Sequence, residues 1–265
     1  MLEVIDKAPQ RESGKPPLLF VHGAWHGAWC WDEYFLDFFA AKGYRSLALS
    51  LRGHGNSTAP KSMRLCSIAD FVDDVDSVAK SLPEPPVVVG HSLGGFVVQK
   101  YLEAHDVPGA VLLASAPISG IAGFLLRRLK RHPWYTGTAL AQTKSLRGVG
   151  GTPALARETF FSASTPEADV LRYTALLSEE YAWKIALDML WQNLPKAERV
   201  TTPLLILGAD DDMCFTQREV HDTAAAYGTQ AEFFPGMSHD MMLDPGWNVV
   251  AERIHAWVEK GYHTS

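Results

Sequence analysis

The sequence predicts an α/β fold: a mainly parallel sheet flanked by helices on both faces, with a helical insertion. Three observations predict it. Apolar runs of strand length alternate with amphipathic helical stretches over most of the 265 residues. Val87-Val88-Val89 runs through Gly90-His91-Ser92-Leu93-Gly94-Gly95 into a helical pattern, a strand–turn–helix unit. From about Pro117 to Val200 the alternation stops, and helical patterns follow one another with no convincing strand.

The elements follow in chain order. Leu2–Ile5 is a short first strand, and Arg11–Pro17 a polar turn. Leu18–His22 is an apolar strand, and Trp31–Lys42 a helix stopped by Gly43. Arg45–Leu51 is the next strand, followed by a turn in which Gly53 and Gly55 permit positive φ. Ile68–Leu82 reads as a helix with acids on one face, ending before Pro83. The strand at Val87 leads through the serine turn into the helix Phe96–Ala104, and Ala110–Ser115 is again a strand. After the interruption, Pro203–Leu207 and Phe233–Phe234 are strands, and Trp247–Lys260 closes the chain as a helix. The domain expectation is therefore a core in two parts, 1–116 and 201–265, with residues 117–200 inserted as a helical cap.

Gly90 and Gly94 flank Ser92 at two residues on either side. A tight strand-to-helix turn needs this spacing, because strand and helix approach so closely that side chains must be absent beside the tip. The tip serine stands above the sheet at a helix N-terminus, which favours developing negative charge. A nucleophilic serine needs a base and a group that orients the base. The acids Asp210-Asp211-Asp212 follow the strand ending at Leu207-Gly208, and His239 follows the strand ending at Phe234. Loops after parallel strands share one sheet edge, so these segments can meet although they are far apart in sequence.

These segments, with Val21-His22-Gly23-Ala24-Trp25 and Leu51-Arg52-Gly53-His54-Gly55-Asn56-Ser57, resemble the α/β-hydrolase superfamily over nearly the whole chain. The resemblance implies a sheet of about eight strands, of which one is missing or very short here. It implies Ser92 as nucleophile and His239 as general base. Its Gly-x-x-Asp spacing points to Asp211 as the orienting acid, with Asp210 and Asp212 as the alternatives. It also implies an oxyanion hole from the backbone N–H groups of Ala24 and Leu93. His22 is expected to brace its loop. Trp25, beside the oxyanion loop, and His91, beside the nucleophile, are the candidate substrate-binding residues.

The reaction these roles imply is hydrolysis of a carboxylic ester, thioester or lactone of a small, largely apolar substrate through an acyl-enzyme. Its rate should rise through about pH 6–7, the ordinary histidine range. Ser92 excludes the branches with an aspartate nucleophile. The segment His22–Trp29 looks like the corresponding loop of plant methylesterases and hydroxynitrile lyases. Gly23 and Asp240 stand where the lyases carry threonine and lysine, which argues against cyanohydrin cleavage. A carbon–carbon bond hydrolase of ring-cleavage diketones is the alternative enzyme, and a non-catalytic small-molecule receptor the alternative of another class. Apolar residues of the insertion, including Phe124, Leu126, Trp134, Phe160, Phe161, Met189 and Trp191, are expected mostly to pack cap on core. The basic run Arg127–His132 reads as a solvated helix face.

Composition narrows the partners. A net charge of −6 gives nothing to hold nucleic acid or an anionic surface. No apolar run is long enough to span a bilayer, and Met1–Lys7 lacks the apolar core of a secretory signal. The 3 cysteines are odd in number and widely spaced, which argues against a disulfide framework and for a reducing, cytoplasmic setting. Cysteines and histidines show no metal-ligand spacing, and the aspartate triplet lacks the spaced ligands of a calcium loop. No cofactor or metal is therefore expected. The sequence carries no signal for oligomeric state.

Overall fold

The computed structural model describes residues 1–11, 13–59, 62–134, 136, 150–179 and 183–262. Its strands are β1 (Glu3–Lys7), β2 (Leu18–Val21), β3 (Ser46–Ser50), β4 (Val87–His91), β5 (Ala110–Leu113), β6 (Leu204–Ala209) and β7 (Ala231–Phe234). They form one seven-stranded sheet in the order β1-β3-β2-β4-β5-β6-β7. Only the β1–β3 pairing is antiparallel; the other five are parallel. β2 through β6 are buried along their whole length, which explains their continuous apolar runs. β1 is the charged edge, half-buried and exposed by turns, with Asp6 bonded to Arg45 of the neighbouring segment at 2.6 Å.

Helices flank the sheet: α1 (Trp29–Asp32), α2 (Phe35–Ala41), α3 (Ile68–Ala79), α4 (Leu93–Tyr101), α9 (Gln217–Ala226) and α10 (Trp247–Glu259). Ser67 and Asp70 form a reciprocal cap at the start of α3, and Thr216 and Glu219 do the same for α9. The single helix expected over Trp31–Lys42 is instead two. The chain breaks at Tyr34, whose φ is −143°, and the Tyr34 ring lies flat on Trp247 of α10, 4.9 Å between centroids. A ring stack across 213 positions outweighs the local helical period.

Between β5 and β6 the described residues form helices and turns and no strand. These are α5 (Ala122–Arg131), α6 (Pro153–Phe160), α7 (Glu167–Leu176) and α8 (Trp183–Leu187), then a π-helical turn at Asp188–Gln192. The segment is fastened to the core through polar bonds. Ser178 N–H donates to the Trp25 carbonyl at 2.7 Å, and Asp240 N–H to the Phe160 carbonyl at 2.9 Å. Ile68 N–H donates to Asp188 Oδ2 at 3.0 Å. Phe124, Phe160, Phe161 and Met189 are buried in these contacts, while Leu126, Trp134, Trp183 and Trp191 are exposed. The basic run is paired with acids rather than simply solvated: Arg127 with Glu219, Arg131 and His132 with Glu158, and Arg128 is buried.

The turn from β4 into α4 leaves no room for side chains. A β-carbon on Gly94 would stand 2.4 Å from the carbonyl oxygens of both Val21 and His22, and one on Gly90 2.6 Å from the Gly94 carbonyl. These obstacles are backbone and cannot swing aside. Gly94→Ala should therefore cost about 3 kcal/mol or more. The melting temperature should drop by roughly 6–12 °C, a shift that differential scanning calorimetry would read.

Candidate active site

Ser92 is the tip of that turn. Its backbone sits at φ 52°, ψ −118°, a region that costs a non-glycine residue about 1–3 kcal/mol. Three bonds hold it there: Ser92 N–H donates to the Leu113 carbonyl, and Ala116 and Phe96 N–H groups both donate to the Ser92 carbonyl. The side chain is left half-buried at the head of α4. Leu93 is the first residue of α4, so its N–H has no acceptor within the helix.

The loop after β2 lies against this turn. A β-carbon on Gly23 would meet Ser92 Cβ at 2.9 Å and His91 Nδ1 at 2.8 Å. His22 braces the loop from both ring nitrogens. Its Nδ1–H donates to the Gly23 carbonyl at 2.7 Å, and its Nε2 accepts from Leu51 N–H at 3.0 Å. Gly23 C=O and Ala24 N–H belong to one planar trans peptide, so fixing the carbonyl also aims the Ala24 N–H the opposite way. Burial, reinforced by the neighbouring His54, holds the His22 pKa well below the usual histidine value, in keeping with this neutral two-partner role. The glycines of the 51–57 turn have the positive φ expected of them, 78° at Gly53 and 51° at Gly55. Arg52 ties that turn to α3 through Asp74 at 2.6 Å and Asp70 at 2.9 Å.

His239 stands after β7, and its acid partner is Asp212, not Asp211. His239 Nδ1–H donates to Asp212 Oδ2 at 2.9 Å, and both side chains are 2% exposed. The turn after β6 decides between the three aspartates. Asp211 uses its backbone N–H to reach the Met237 carbonyl, and the residue is exposed. Asp210 is exposed too and accepts from Gln217. Asp212 turns inward because its Oδ1 accepts from Cys214 N–H at 2.7 Å and Phe215 N–H at 3.2 Å, which leaves Oδ2 for the imidazole. Burial lowers the His239 pKa, but the Asp212 carboxylate and the neighbouring Cys214 together outweigh it and raise the value well above that of ordinary histidine.

His91 does not line the site. It is fully buried, and its Nε2–H donates to the His239 carbonyl at 3.1 Å. Burial, then the neighbouring His239, lowers its pKa to about 3, so the ring is neutral. The strand geometry explains the difference. Ser92 is raised at the turn while His91, the last residue of β4, still points beneath the loops. Trp25 packs on Phe160 with centroids 5.7 Å apart, and Phe160 and Phe215 lie 6.1 and 5.5 Å from the His239 ring. These rings give the region around His239 an apolar wall.

Among the described residues, two groups of side chains bring ligand-type atoms together: His91, His239 and Asp240, and Asp212, Cys214 and His239. In each, a histidine–carboxylate hydrogen bond already occupies a would-be ligand pair or its neighbour, His239 with Asp212 and His26 with Asp240. Cys30, Cys66 and Cys214 are buried, and none is in a disulfide among the described residues. Sequence reasoning passed over His26 as a separate site residue. Its only local signal is a second histidine in His22-Gly23-Ala24-Trp25-His26, four residues after the first.

The sequence that builds this mainly parallel sheet, the strained serine turn and the buried histidine–carboxylate pair matches the model of the alpha/beta hydrolase family over residues 18–251. The chain belongs to that family. Its sequence is similar to a monoacylglycerol lipase of Mycolicibacterium smegmatis, 26% identical over 236 residues, covering 83% of this chain and 80% of that protein. It is also similar to a probable esterase, PIR7A, of Oryza sativa, 37% identical over 114 residues, 41% of this chain and 43% of that one. Among solved structures it resembles a thermophilic esterase from Thermogutta terrifontis, with a TM-score of 0.75 at 18% identity over 99% of this chain and 94% of that chain. The protein is thus an alpha/beta hydrolase related to esterases and lipases. No described helix is long and apolar enough to cross a membrane.

Proposed function

We propose that the chain is a serine hydrolase of carboxylic esters, with Ser92 as nucleophile, His239 as general base and Asp212 as the acid that orients it. The observation that carries this reading is the buried His239–Asp212 hydrogen bond on the loops that share the sheet edge with the Ser92 turn. His239 accepts the Ser92 proton as Oγ attacks the carbonyl carbon. The N–H groups of Ala24 and Leu93 receive the developing oxyanion. His239 returns the proton to the departing alcohol, and water then releases the acid by the same steps. Residues 117–200 act as a cap, and Trp25, Phe160 and Phe215 supply the apolar wall for an acyl chain. Thioesters and lactones are neighbouring substrates.

The test is hydrolysis of p-nitrophenyl esters of graded acyl length. Glycerol monoesters of fatty acids belong beside them, because one relative carries the name monoacylglycerol lipase. Turnover with a clear length optimum supports the reading. No turnover of any ester, together with no covalent reaction at Ser92 with a p-nitrophenyl phosphonate, sinks it.

The pH dependence follows from His239. The base must be neutral to act, and a raised pKa keeps it protonated to higher pH. The acid limb of kcat/KM should then have its midpoint above the ordinary histidine value of about 6.5, higher than sequence alone suggests. Activity is lost as pH falls through that midpoint. A pH–rate profile measured on the best ester decides it, and a midpoint at or below 6 would count against the Asp212 pairing.

A further inference from the structure

His26, His91 and Asp240 form a second histidine–carboxylate cluster that the proposed reaction does not consume. They are 1%, 0% and 1% exposed. The three come from three different segments: the loop after β2, the last position of β4 and the loop after β7. His26 Nδ1–H donates to the Ala24 carbonyl at 2.8 Å, and since a carbonyl only accepts, that nitrogen carries a proton. On its other side, Nε2 lies 3.0 Å from Asp240 Oδ2, with a single proton between the two atoms. Asp240 Oδ1 is buried without a hydrogen-bond partner, 3.7 Å from His91 Nε2. His91 in turn donates to the carbonyl of His239.

Such a cluster is costly. A buried polar atom left without a partner costs about 1–3 kcal/mol, and apolar side chains could fill the same volume. The cost falls where the loops carrying Ala24, Ser92 and His239 converge. His26 is stacked on Trp29 at 5.5 Å, which fixes its ring plane. With His22 holding the Gly23 carbonyl and His26 the Ala24 carbonyl, both peptide planes beside Ala24 are clamped by imidazoles.

We propose that the His26–Asp240 pair is a latch that sets the oxyanion loop against the catalytic-histidine loop, with His91 as its second tie. His26 and Asp240 are positioning residues and touch no reacting atom. The proposal rests on the reading of Ser92, His239 and Ala24 given above. Loosening the latch displaces the Ala24 N–H relative to His239. A misplacement of about 1 Å costs on the order of 100-fold in rate.

Three variants test it. In Asp240→Asn the carboxamide N–H donates to His26 Nε2, so the latch persists without its charge. Asp240→Leu removes it. The double variant His26→Phe with Asp240→Leu replaces the whole pair by apolar groups, a change that is often neutral or stabilising. The readouts are the rate of stoichiometric p-nitrophenol release from a p-nitrophenyl alkylphosphonate, kcat and KM on the best ester, and the melting temperature.

Asp240→Asn should react within about 3-fold of wild type. Asp240→Leu and the double variant should react roughly 10–100-fold more slowly, through kcat with KM little changed. The double variant leaves no unpaired charge and gives up only the His26 bond to the Ala24 carbonyl, so it should show this loss while still melting cooperatively within a few degrees of wild type, and it decides the matter even if Asp240→Leu does not fold. A double variant as fast as wild type overturns the latch, and so does Asp240→Asn as slow as the apolar variants. A wild-type protein inert to the phosphonate sinks the serine-hydrolase reading itself, a result distinct from either.

Discussion

Ser92→Ala is expected to lower ester turnover by about 10⁶-fold, to the level supplied by binding and the oxyanion donors alone. The size follows from what is lost. Without Oγ no acyl-enzyme forms, and His239 has no proton to accept, so the histidine and its acid contribute nothing further. The phosphonate should also leave this variant unlabelled, which mass spectrometry of the intact protein reads directly. The fold should survive, because three backbone bonds rather than the side chain hold the strained turn. A variant that kept more than about one per cent of wild-type turnover, in a preparation free of other esterases, would remove Ser92 from its role.

Asp212→Asn is expected to cost about 10⁴-fold in kcat. The carboxamide fills the same space and can still face His239, but it no longer requires the tautomer with the proton on Nδ1 and cannot balance the imidazolium that forms during attack. Asp211→Asn is the matched control and should remain within about 2-fold of wild type. Its side chain is exposed, and its structural bond runs from the backbone N–H, which the substitution leaves intact. Kinetics of the two variants on one substrate separate neighbouring aspartates directly. Equal losses, or a larger loss at Asp211, would contradict the pairing described above.

The core strands were legible because a parallel sheet buried on both faces demands unbroken apolar runs, and Leu18–Val21, Val87–Val89 and Leu204–Leu207 supply them. The Ser92 turn was legible for a steric reason: only glycine fits at 90 and 94. The choice among Asp210, Asp211 and Asp212 was not. Strand and glycine announce the turn, but the inward acid is set by which carboxylate caps the N–H groups of Cys214 and Phe215, a matter of turn geometry at single-residue scale. His91 was misread because spacing places a residue beside Ser92 without saying on which side of the sheet edge it points. The link between His26 and Asp240 spans 214 positions and has no local pattern to betray it. The break at Tyr34 was hidden for the same reason, since its cause, Trp247, lies near the other end of the chain.

Two backbone bonds join the inserted helices to the loops beside Ser92 and His239, from Ser178 to Trp25 and from Asp240 to Phe160. Such an insert is not an exchangeable cassette. A chimera that grafts foreign helices between positions 116 and 201 would deprive the Trp25 carbonyl and the Asp240 N–H of their partners, and the damage would appear as slower chemistry before it appeared as new selectivity. On the proposed esterase reading, acyl preference is better altered by exchanging side chains of the insert while the main chain at Phe160 and Ser178 stays in place. On the proposed function, what chooses the substrate and what aligns the catalytic residues would share the same few atoms of main chain.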